Sequence, residues 1–220
     1  MSTSILVPVK EHKNAKSRMS TMLAADERAL LAKTMFEDVA DTLASLSSPV
    51  VIVTNSQEAA QQARKLGWRV LWETCQVSES ASVDAASAQL RQEGITSVLR
   101  LPADLPLVTS ADIEQIFAGA MPAPSAVLVP SGDRMGTNAL LRTPPDLFSS
   151  RFGHNSFVLH MQEARRSKAQ IRVTENSNIA LDLDDTSDLR RFLERPSNTR
   201  TYQLLQKLAI RERLDQRGSS

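Results

Sequence analysis

The chain has 220 residues, of which 41% are hydrophobic and 23% charged, and this suits one globular domain with a sizeable core. Its 26 Lys and Arg residues nearly balance 25 Asp and Glu residues, so a formal net charge of +1 provides no overall field to recruit nucleic acid or a membrane surface. The single cysteine, Cys75, excludes an internal disulfide, and without a leader-like or membrane-length apolar run we expect a cytoplasmic protein with no membrane partner.

Strand-like and helix-like segments alternate along most of the chain. Short apolar runs predict strands at residues 4–9, 49–54, 68–73, 96–101, 126–130, 138–143 and 170–174. Apolar residues at three- and four-residue spacing predict helices at 24–46, 56–67, 82–94 and 110–120. Asp26 and Ser56 are the expected N-caps of the first two helices, and Gly67 and Gly94 are expected stops. This alternation predicts an α/β fold, a mostly parallel sheet with helices on both faces.

The turn after the first strand lacks glycine, because the first glycine of the chain is Gly67. This excludes a glycine-rich dinucleotide fingerprint and a P-loop, which both need close backbone approach to phosphate. The turn instead carries Lys10, Lys13, Lys16 and Arg18, whose side chains could hold a triphosphate. A solvated basic loop is the alternative. In either case a loop lysine adds no core packing, so Lys16→Ala is expected to leave the fold intact.

An acidic residue stands at the end of the most apolar strand, in the stretch LPADLPL. Asp104 lies between Pro102 and Pro106, which fix φ and lack amide donors, so pairing in the sheet stops there. The carboxyl ends of strands are where open α/β sheets bind ligands. We therefore expect Asp104 to face a ligand.

Two further acids occur in the stretch LDLDDTSDL. In an extended segment Asp182 and Asp184 share one face, and two like charges so close are costly unless a cation lies between them. Oxygen ligands without clustered His or Cys favour Mg²⁺ or Mn²⁺. An N-cap and a turn acid are the alternative for this pair, whereas Asp185 and Asp188 are expected to cap the following helix. With Asp104 and the basic turn, these acids predict a metal-dependent nucleotidyl transfer site.

The last third of the chain is less regular. Residues 132–185 are interpreted as an inserted substrate region followed by a return to the sheet. Residues 201–214 predict one final amphipathic helix, packed on the outside of the domain or on another subunit, which leaves a homodimer open. We assign 1–214 to a single nucleotidyltransferase domain and 215–220 to a flexible tail.

Four stretches together resemble the guanylyltransferases of coenzyme F-420 biosynthesis, the 2-phospho-L-lactate guanylyltransferase family: VPVKEHKNAKSRMS, LPADLPLVTSADI, GTNALLRTPPDLFSSRFGHNSFVLHMQEA and LDLDDTSDL. The resemblance runs from about residue 5 to residue 189. It implies a nucleotide-diphospho-sugar-transferase (GT-A-like) fold and dependence on Mg²⁺. It also implies two substrates, GTP and a small phosphorylated three-carbon acid, whose phosphate receives GMP while pyrophosphate leaves.

The resemblance also implies roles for particular residues. The metal ligands correspond to Asp104, Asp182 and Asp184, and the acid-substrate pocket corresponds to Thr137, Gly153 and Ser156. Hydroxyl groups and close backbone approach at a glycine suit a bound carboxylate or phosphate. We assign catalysis to Lys16, Arg18 and Asp104, and nucleotide binding to Lys10, Lys16, Arg18 and Asp84.

The chain departs from the family where Gly-Leu-Asn usually precedes a helix on the nucleotide side. Ser82, Val83 and Asp84 stand there instead, and the acid leaves the strictness of guanine preference open. Family members use 2-phospho-L-lactate, phosphoenolpyruvate or 3-phospho-D-glycerate, and the polar Ser82 and Asp84 favour the hydroxylated acid, 3-phospho-D-glycerate. Two alternatives remain: a nucleotidyltransferase for molybdopterin or a sugar phosphate, which normally has a glycine-rich first loop, and a non-catalytic nucleotide-binding relative.

Overall fold

The structure is a computed structural model that describes residues 2–11 and 16–218, so Lys13 lies outside the described residues. The strands are β1 (Thr3–Val9), β2 (Val50–Thr54), β3 (Arg69–Trp72), β4 (Ser97–Arg100), β5 (Ser125–Pro130), β6 (Thr137–Thr143) and β7 (Gln170–Val173). The helices are α1 (Ala25–Ala44), α2 (Gln57–Lys65), α3 (Glu79–Gln92), α4 (Ser110–Ala118), α5 (Ser156–Arg166), α6 (Thr186–Leu193), α7 (Arg200–Lys207) and α8 (Ile210–Gly218). A short 3-10 helix spans Ser17–Met19.

The seven strands form one sheet in the order β3-β2-β1-β4-β6-β5-β7. β6 runs antiparallel to both of its neighbours, β4 and β5, while the other pairings are parallel. The predicted α/β fold with a mostly parallel sheet is therefore confirmed. Because β6 is reversed, its first residues lie at the same edge as the carboxyl ends of β1, β2 and β4.

Helices cover both faces of the sheet because buried strand residues point alternately to either side. On one face Ile5, Val7 and Val9 of β1 pack in a cluster with residues of α1, α2 and α4. On the other face Leu6 packs with Val83 and other residues of α3. Farther along the sheet, β5 and β6 pack against α5. These helices do not cover the edge of the sheet at which the parallel strands end.

A separate apolar cluster joins the C-terminal helices to the rest of the domain. Leu205 of α7, Ile210 and Leu214 pack there with Leu181 and Leu183 and with residues of α1 and α6. The predicted single helix over 201–214 is wrong: α7 and α8 are separate, because Ala209 between them has a left-handed φ of 50°. α8 also extends to Gly218, past the predicted start of a tail at 215.

The helix ends follow the sequence in most places. The Ser56 hydroxyl accepts a hydrogen bond from the Ala59 amide and caps α2, as predicted. Gly67 and Gly94 follow α2 and α3 with φ values of +74° and +88°, which glycine adopts readily. Asp26 is not the N-cap of α1: that position is Ala24, whose amide donates to the Glu27 carboxylate.

The region from 132 to 185 is not an insertion, because it contains the central strand β6 together with α5 and β7. Periodicity alone does not distinguish an inserted strand from a central one. Among the described residues, no helix is long and apolar enough to cross a membrane.

Candidate active site

A cleft of about 1010 Å³ opens at the edge of the sheet where β1 and β4 end and β6 begins. This volume is large enough for a nucleotide and a small acid together. Nine of the ten residues singled out from the sequence line it: Lys10, Lys16, Arg18, Asp104, Thr137, Gly153, Ser156, Asp182 and Asp184. The structure thus brings together residues from distant parts of the chain, while their roles remain predictions.

Hydrogen bonds tie the segments that carry the acids to one another. The amide of Leu183, between Asp182 and Asp184, donates to the backbone carbonyl of Asp104 at 3.4 Å. The side-chain amide of Asn138 on β6 donates to Asp182 Oδ1 at 3.0 Å. That same amide donates to the Ile179 carbonyl at 2.7 Å. The acids are consequently anchored to the central strands, although residues 181–184 have no regular secondary structure.

Lys16 lies inside the acid cluster and not on the surface of a solvated loop. Its Nζ is 2.6 Å from Asp104 Oδ2 and 2.6 Å from Asp184 Oδ1. Only 8% of the Lys16 side chain is exposed, against 27% for Asp104 and 45% for Asp184. The Lys16 backbone has a left-handed φ of 53°, a conformation that costs energy for a residue with a side chain. The fold therefore holds this ammonium between two carboxylates.

Burial and neighbouring charge shift the acid–base behaviour of these groups. Burial by itself would lower the pKa of Lys16, but attraction to Asp104 and Asp184 raises that pKa above its ordinary value. Burial would raise the pKa of Asp104, but Lys16 holds it below the usual range. Asp182 differs, because burial and then repulsion by Asp104 and Asp184 raise its pKa to about 6. Asp182 is thus the carboxylate least compensated by positive charge.

The donor set fits a hard divalent cation. Three carboxylates line the cleft, two of them paired with the Lys16 ammonium, and burial together with repulsion by those two raises the pKa of Asp182. Within the described part of the chain, no group of three or more His, Cys, Asp and Glu side chains is arranged so that it could hold a metal ion. A cation bound to Asp104 and Asp184 would compete with the Lys16 ammonium for the same oxygens.

Hydroxyl groups line the cleft at the start of β6 and of α5. Thr137 and Ser156 are 4% and 2% exposed, and the Thr137 amide donates to the Ser156 hydroxyl oxygen at 2.8 Å. His160 of α5 is fully buried, with Nδ1 at 2.9 Å from Thr137 Oγ1. Gly153 has a φ of +117°, and a Cβ at that position would meet nothing within 4 Å. The three residues that the resemblance assigns to the acid pocket are therefore neighbours on one side of the cleft.

Arg100 is a cleft residue that sequence reasoning missed. Its guanidinium forms an ion pair with Glu79, lies 4.1 Å from the centre of the Phe152 ring, and donates to the Thr137 carbonyl at 3.2 Å. It brings a buried positive charge close to the hydroxyl residues. The available signal was an arginine inside the apolar strand VLRL, because a buried charge in a central strand needs partners.

Asp84 does not reach the cleft, which corrects the reading of the Ser82-Val83-Asp84 stretch. Its carboxylate accepts hydrogen bonds from the Ser150 amide at 2.9 Å and from Arg142, which is 1% exposed. The Ser82 hydroxyl donates to the Ser78 carbonyl within α3. The acid therefore balances a buried arginine, and neither side chain supports nucleotide binding or a preference for a hydroxylated acid.

Comparison with known families matches residues 3–219 to the family described as "Guanylyl transferase CofC like". A phosphoenolpyruvate guanylyltransferase of Rubrobacter xylanophilus is 38% identical over 193 residues, covering 87% of this chain and 94% of that protein. A 2-phospho-L-lactate guanylyltransferase of Methanothermobacter thermautotrophicus is 29% identical, with 94% and 92% covered. A 3-phospho-D-glycerate guanylyltransferase of Colwellia psychrerythraea is 30% identical, with 86% and 90% covered.

Among solved structures, a protein of Desulfovibrio desulfuricans described as a nucleotide-diphospho-sugar transferase gives a TM-score of 0.78. The two chains are 19% identical, and the match covers 97% of this chain and 99% of the other. At that identity the likeness concerns the fold alone, and it confirms the fold type that the resemblance implied.

Proposed function

The chain belongs to the family of CofC-like guanylyl transferases, and from this we propose that it transfers GMP from GTP to the phosphate of a phosphorylated three-carbon acid in coenzyme F-420 biosynthesis. The observation that carries the proposal is a cleft whose lining includes the carboxylates of Asp104, Asp182 and Asp184, basic residues, and the hydroxyl residues Thr137 and Ser156. The first two sets suit a metal-bound triphosphate, and the hydroxyl groups suit a small anionic acceptor.

In the proposed reaction an oxygen of the acceptor phosphate forms a bond to the α-phosphorus of GTP. The bond from that phosphorus to the bridging oxygen breaks, and its electron pair leaves with pyrophosphate. The acceptor phosphate is already ionised near neutral pH, so no residue needs to act as a general base. Lys10 and Arg18 supply positive charge for the triphosphate, and Thr137 and Ser156 supply hydroxyl groups for the acid.

Asp104, Asp182 and Asp184 are the residues that would hold Mg²⁺, which when bound neutralises charge on phosphate oxygens. In the apo arrangement Lys16 compensates two of these carboxylates. Its buried position gives it a second task in the proposal: it keeps Asp104 and Asp184 together before the substrates bind.

The acceptor is one of three acids that differ by a methyl, a methylene or a hydroxyl group, and an apolar pocket discriminates by only about 1 to 3 kcal/mol on that scale. Ser82 and Asp84 lie outside the cleft, so they no longer favour 3-phospho-D-glycerate. We take phosphoenolpyruvate as the first acid to test, because the relative named for it is 38% identical to this chain.

The test is pyrophosphate release with GTP, Mg²⁺ and each of the three acids in turn, with ATP and CTP as comparison nucleotides. We expect release with at least one acid, fastest with GTP. GTP binding without release for any acid would instead support the non-catalytic alternative, and no binding would contradict both.

Asp104→Asn tests the carboxylates, and Glu11→Gln is its matched control, because Glu11 is an exposed acid at the same cleft. We expect the Asp104 variant to lose at least about 100-fold in turnover while the control stays within about twofold. Equal loss in the two variants would show that general negative charge, and not Asp104, matters.

A further inference from the structure

We propose that His160 is a positioning residue that fixes the Thr137 hydroxyl as a hydrogen-bond donor to the anionic acceptor. The inference rests on the proposed function for the identity of that anion. It extends that function, because neither the four motifs nor the family resemblance assigned His160 a role.

The hydrogen bonds of His160 determine which ring nitrogen carries the proton. The backbone amide of Arg151 donates to His160 Nε2 at 2.8 Å, so Nε2 must present a lone pair. Burial first, and then the nearby positive charges of Arg100, Arg142 and Arg151, lower the pKa of His160 to about 3, so the ring is neutral at physiological pH. A neutral ring that accepts at Nε2 carries its proton on Nδ1.

This tautomer sets the orientation of the Thr137 hydroxyl. His160 Nδ1 is 2.9 Å from Thr137 Oγ1, so the ring donates and the hydroxyl oxygen accepts. The Thr137 proton is then free to point elsewhere, and no described residue accepts a hydrogen bond from it. Since Thr137 lines the cleft, the hydroxyl is set to donate to a ligand there.

Ser156 is oriented in the same way by a different donor. The Thr137 amide donates to Ser156 Oγ at 2.8 Å, which leaves the Ser156 proton available for the cleft. Each of these two adjacent hydroxyl oxygens therefore accepts one hydrogen bond from a protein donor and keeps its own proton for a ligand. Two hydroxyl donors near the buried Arg100 guanidinium suit an anionic oxygen.

The immediate surroundings hold the ring in one orientation. The Phe152 ring meets the His160 ring edge to face, with ring centres 4.8 Å apart, and Phe148 lies 6.3 Å away on a tilted plane. A 180° flip of the ring would place Cδ2 near Thr137 and Cε1 near the Arg151 amide, so both hydrogen bonds would be lost. The tautomer is therefore determined by the fold and does not depend on bound substrate.

Two substitutions separate the bonds that His160 makes. In His160→Asn the side-chain amide nitrogen takes the approximate place of Nδ1 and can still donate to Thr137. In His160→Gln the amide takes the approximate place of Nε2, which preserves a partner for Arg151 but removes the donor to Thr137. Each variant replaces the hydrogen-bonding group of one ring nitrogen and lacks the other, so the two variants form a matched pair.

We expect His160→Gln to raise the KM for the acid about 10-fold, or its Kd by calorimetry, and His160→Asn to stay within about threefold. The KM for GTP should change by less than about twofold in both variants. Thr137→Val should raise the acid KM as His160→Gln does, and the double variant should be no worse than either single one, because both changes remove the same oriented donor. Effects that multiply, or that are equal in the Asn and Gln variants, would overturn the proposal.

A readout without turnover tests the tautomer itself. In protein with ¹⁵N-labelled histidine at pH 7, the ring signals of His160 are those that disappear in His160→Asn. Their ¹⁵N chemical shifts should show a protonated Nδ1 and an unprotonated Nε2. A proton on Nε2 or on both nitrogens overturns the inference. A wild-type chain that binds the acid through Thr137 but releases no pyrophosphate contradicts the proposed reaction and leaves this inference standing, whereas a chain that binds no acid contradicts both.

Discussion

Lys16 and the three aspartates form a charge cluster whose balance would change if the proposed divalent cation bound. Without the cation, one ammonium lies between Asp104 and Asp184 at 2.6 Å from each. Asp182 is held by the neutral Asn138 amide and has a raised pKa of about 6. The residue that compensates the cluster is therefore also the one that a metal would replace.

Lys16→Met is expected to lower the free energy of unfolding in metal-free buffer by about 1 to 2 kcal/mol. A fully buried pair that loses one partner costs about 3 to 5 kcal/mol, and the partial exposure of Asp104 and Asp184 reduces that figure. Added Mg²⁺ should restore more stability to the variant than to the wild type, because no ammonium competes for the oxygens. Urea unfolding with EDTA and with MgCl₂ measures both effects.

Lys10→Met is the matched control, since Lys10 is an exposed lysine from the same turn. We expect it to unfold within about 0.5 kcal/mol of the wild type. If the Lys16 variant and this control were equally stable, Lys16 would not compensate the charges of Asp104 and Asp184. The alternative of a solvated basic loop would then be favoured.

At the level of residues, the sequence singled out three acids that the structure brings to one cleft, but it did not predict how their charges are compensated. Spacing and the flanking prolines were enough to single out Asp104, Asp182 and Asp184. The ion pairs of Lys16 were not predictable, because they join it to residues that lie 88 and 168 positions away along the chain. His160 was missed for a similar reason, since its function depends on the tautomer that Arg151 imposes.

At the level of elements, the segment that carries Asp182 and Asp184 depends on the helices that follow it. Residues 181–184 lack regular structure, yet Leu181 and Leu183 are buried in the cluster that α6, α7 and α8 complete. The amide of Asp184 also donates to the Asp188 carboxylate at the start of α6. Packing of the C-terminal helices therefore helps to position two of the predicted metal ligands.

Leu205→Ala is expected to lower the free energy of unfolding by about 3 kcal/mol, as for other buried leucines cut back to alanine. Leu205 is fully buried in the cluster that holds Leu183. Hydrogen exchange of the Leu183 amide should also become faster, because that amide donates to Asp104 from a loosened segment. Urea unfolding and hydrogen exchange provide the measurements.

Gln206→Ala, one residue along α7 and exposed, is the control and should cost less than about 0.5 kcal/mol. If both variants lost the same stability, α7 would contribute through helix formation alone, and its packing would not support the acid segment.

Periodicity predicted the strands and most helices, because alternating burial follows directly from the spacing of apolar residues. Periodicity failed where a single backbone torsion angle determines whether a helix continues. Ala209 divides the last helix with a φ of 50°, and alanine gives no signal for that conformation. The antiparallel direction of β6 was likewise not readable, since a buried strand has the same pattern in either direction.

At the scale of the whole molecule, a net charge of +1 conceals strong local separation of charge. The cleft holds the acid cluster next to Lys10, Arg18 and the buried Arg100. Such an arrangement suits the proposed binding of an anionic substrate together with a cation. Composition predicted that the chain has no strong overall field, but the local separation of charge could be seen only in the fold.

The contribution of His160 to the stability of the domain should fall as the pH drops below about 6.5, because unfolding exposes the ring. In the folded state the pKa of this ring is about 3, against an ordinary value of 6.5, so the unfolded chain takes up a proton that the folded chain does not. The contribution is fully present above pH 6.5 and is lost towards pH 3, at about 1.4 kcal/mol per pH unit. Asp182 acts in the opposite sense between about 6 and 3.8, because its folded pKa is raised.

A comparison with His160→Asn isolates the histidine, since both proteins retain Asp182 and the other carboxylates. We expect the wild type to lose about 2 kcal/mol more than the variant between pH 7 and pH 5, measured by urea unfolding at each pH. The variant starts from lower stability at pH 7, because the Arg151 amide loses its acceptor, and the two curves should converge as the pH falls. Parallel curves over this range would mean that His160 takes up its proton in the folded state, which is incompatible with a neutral ring that donates to Thr137.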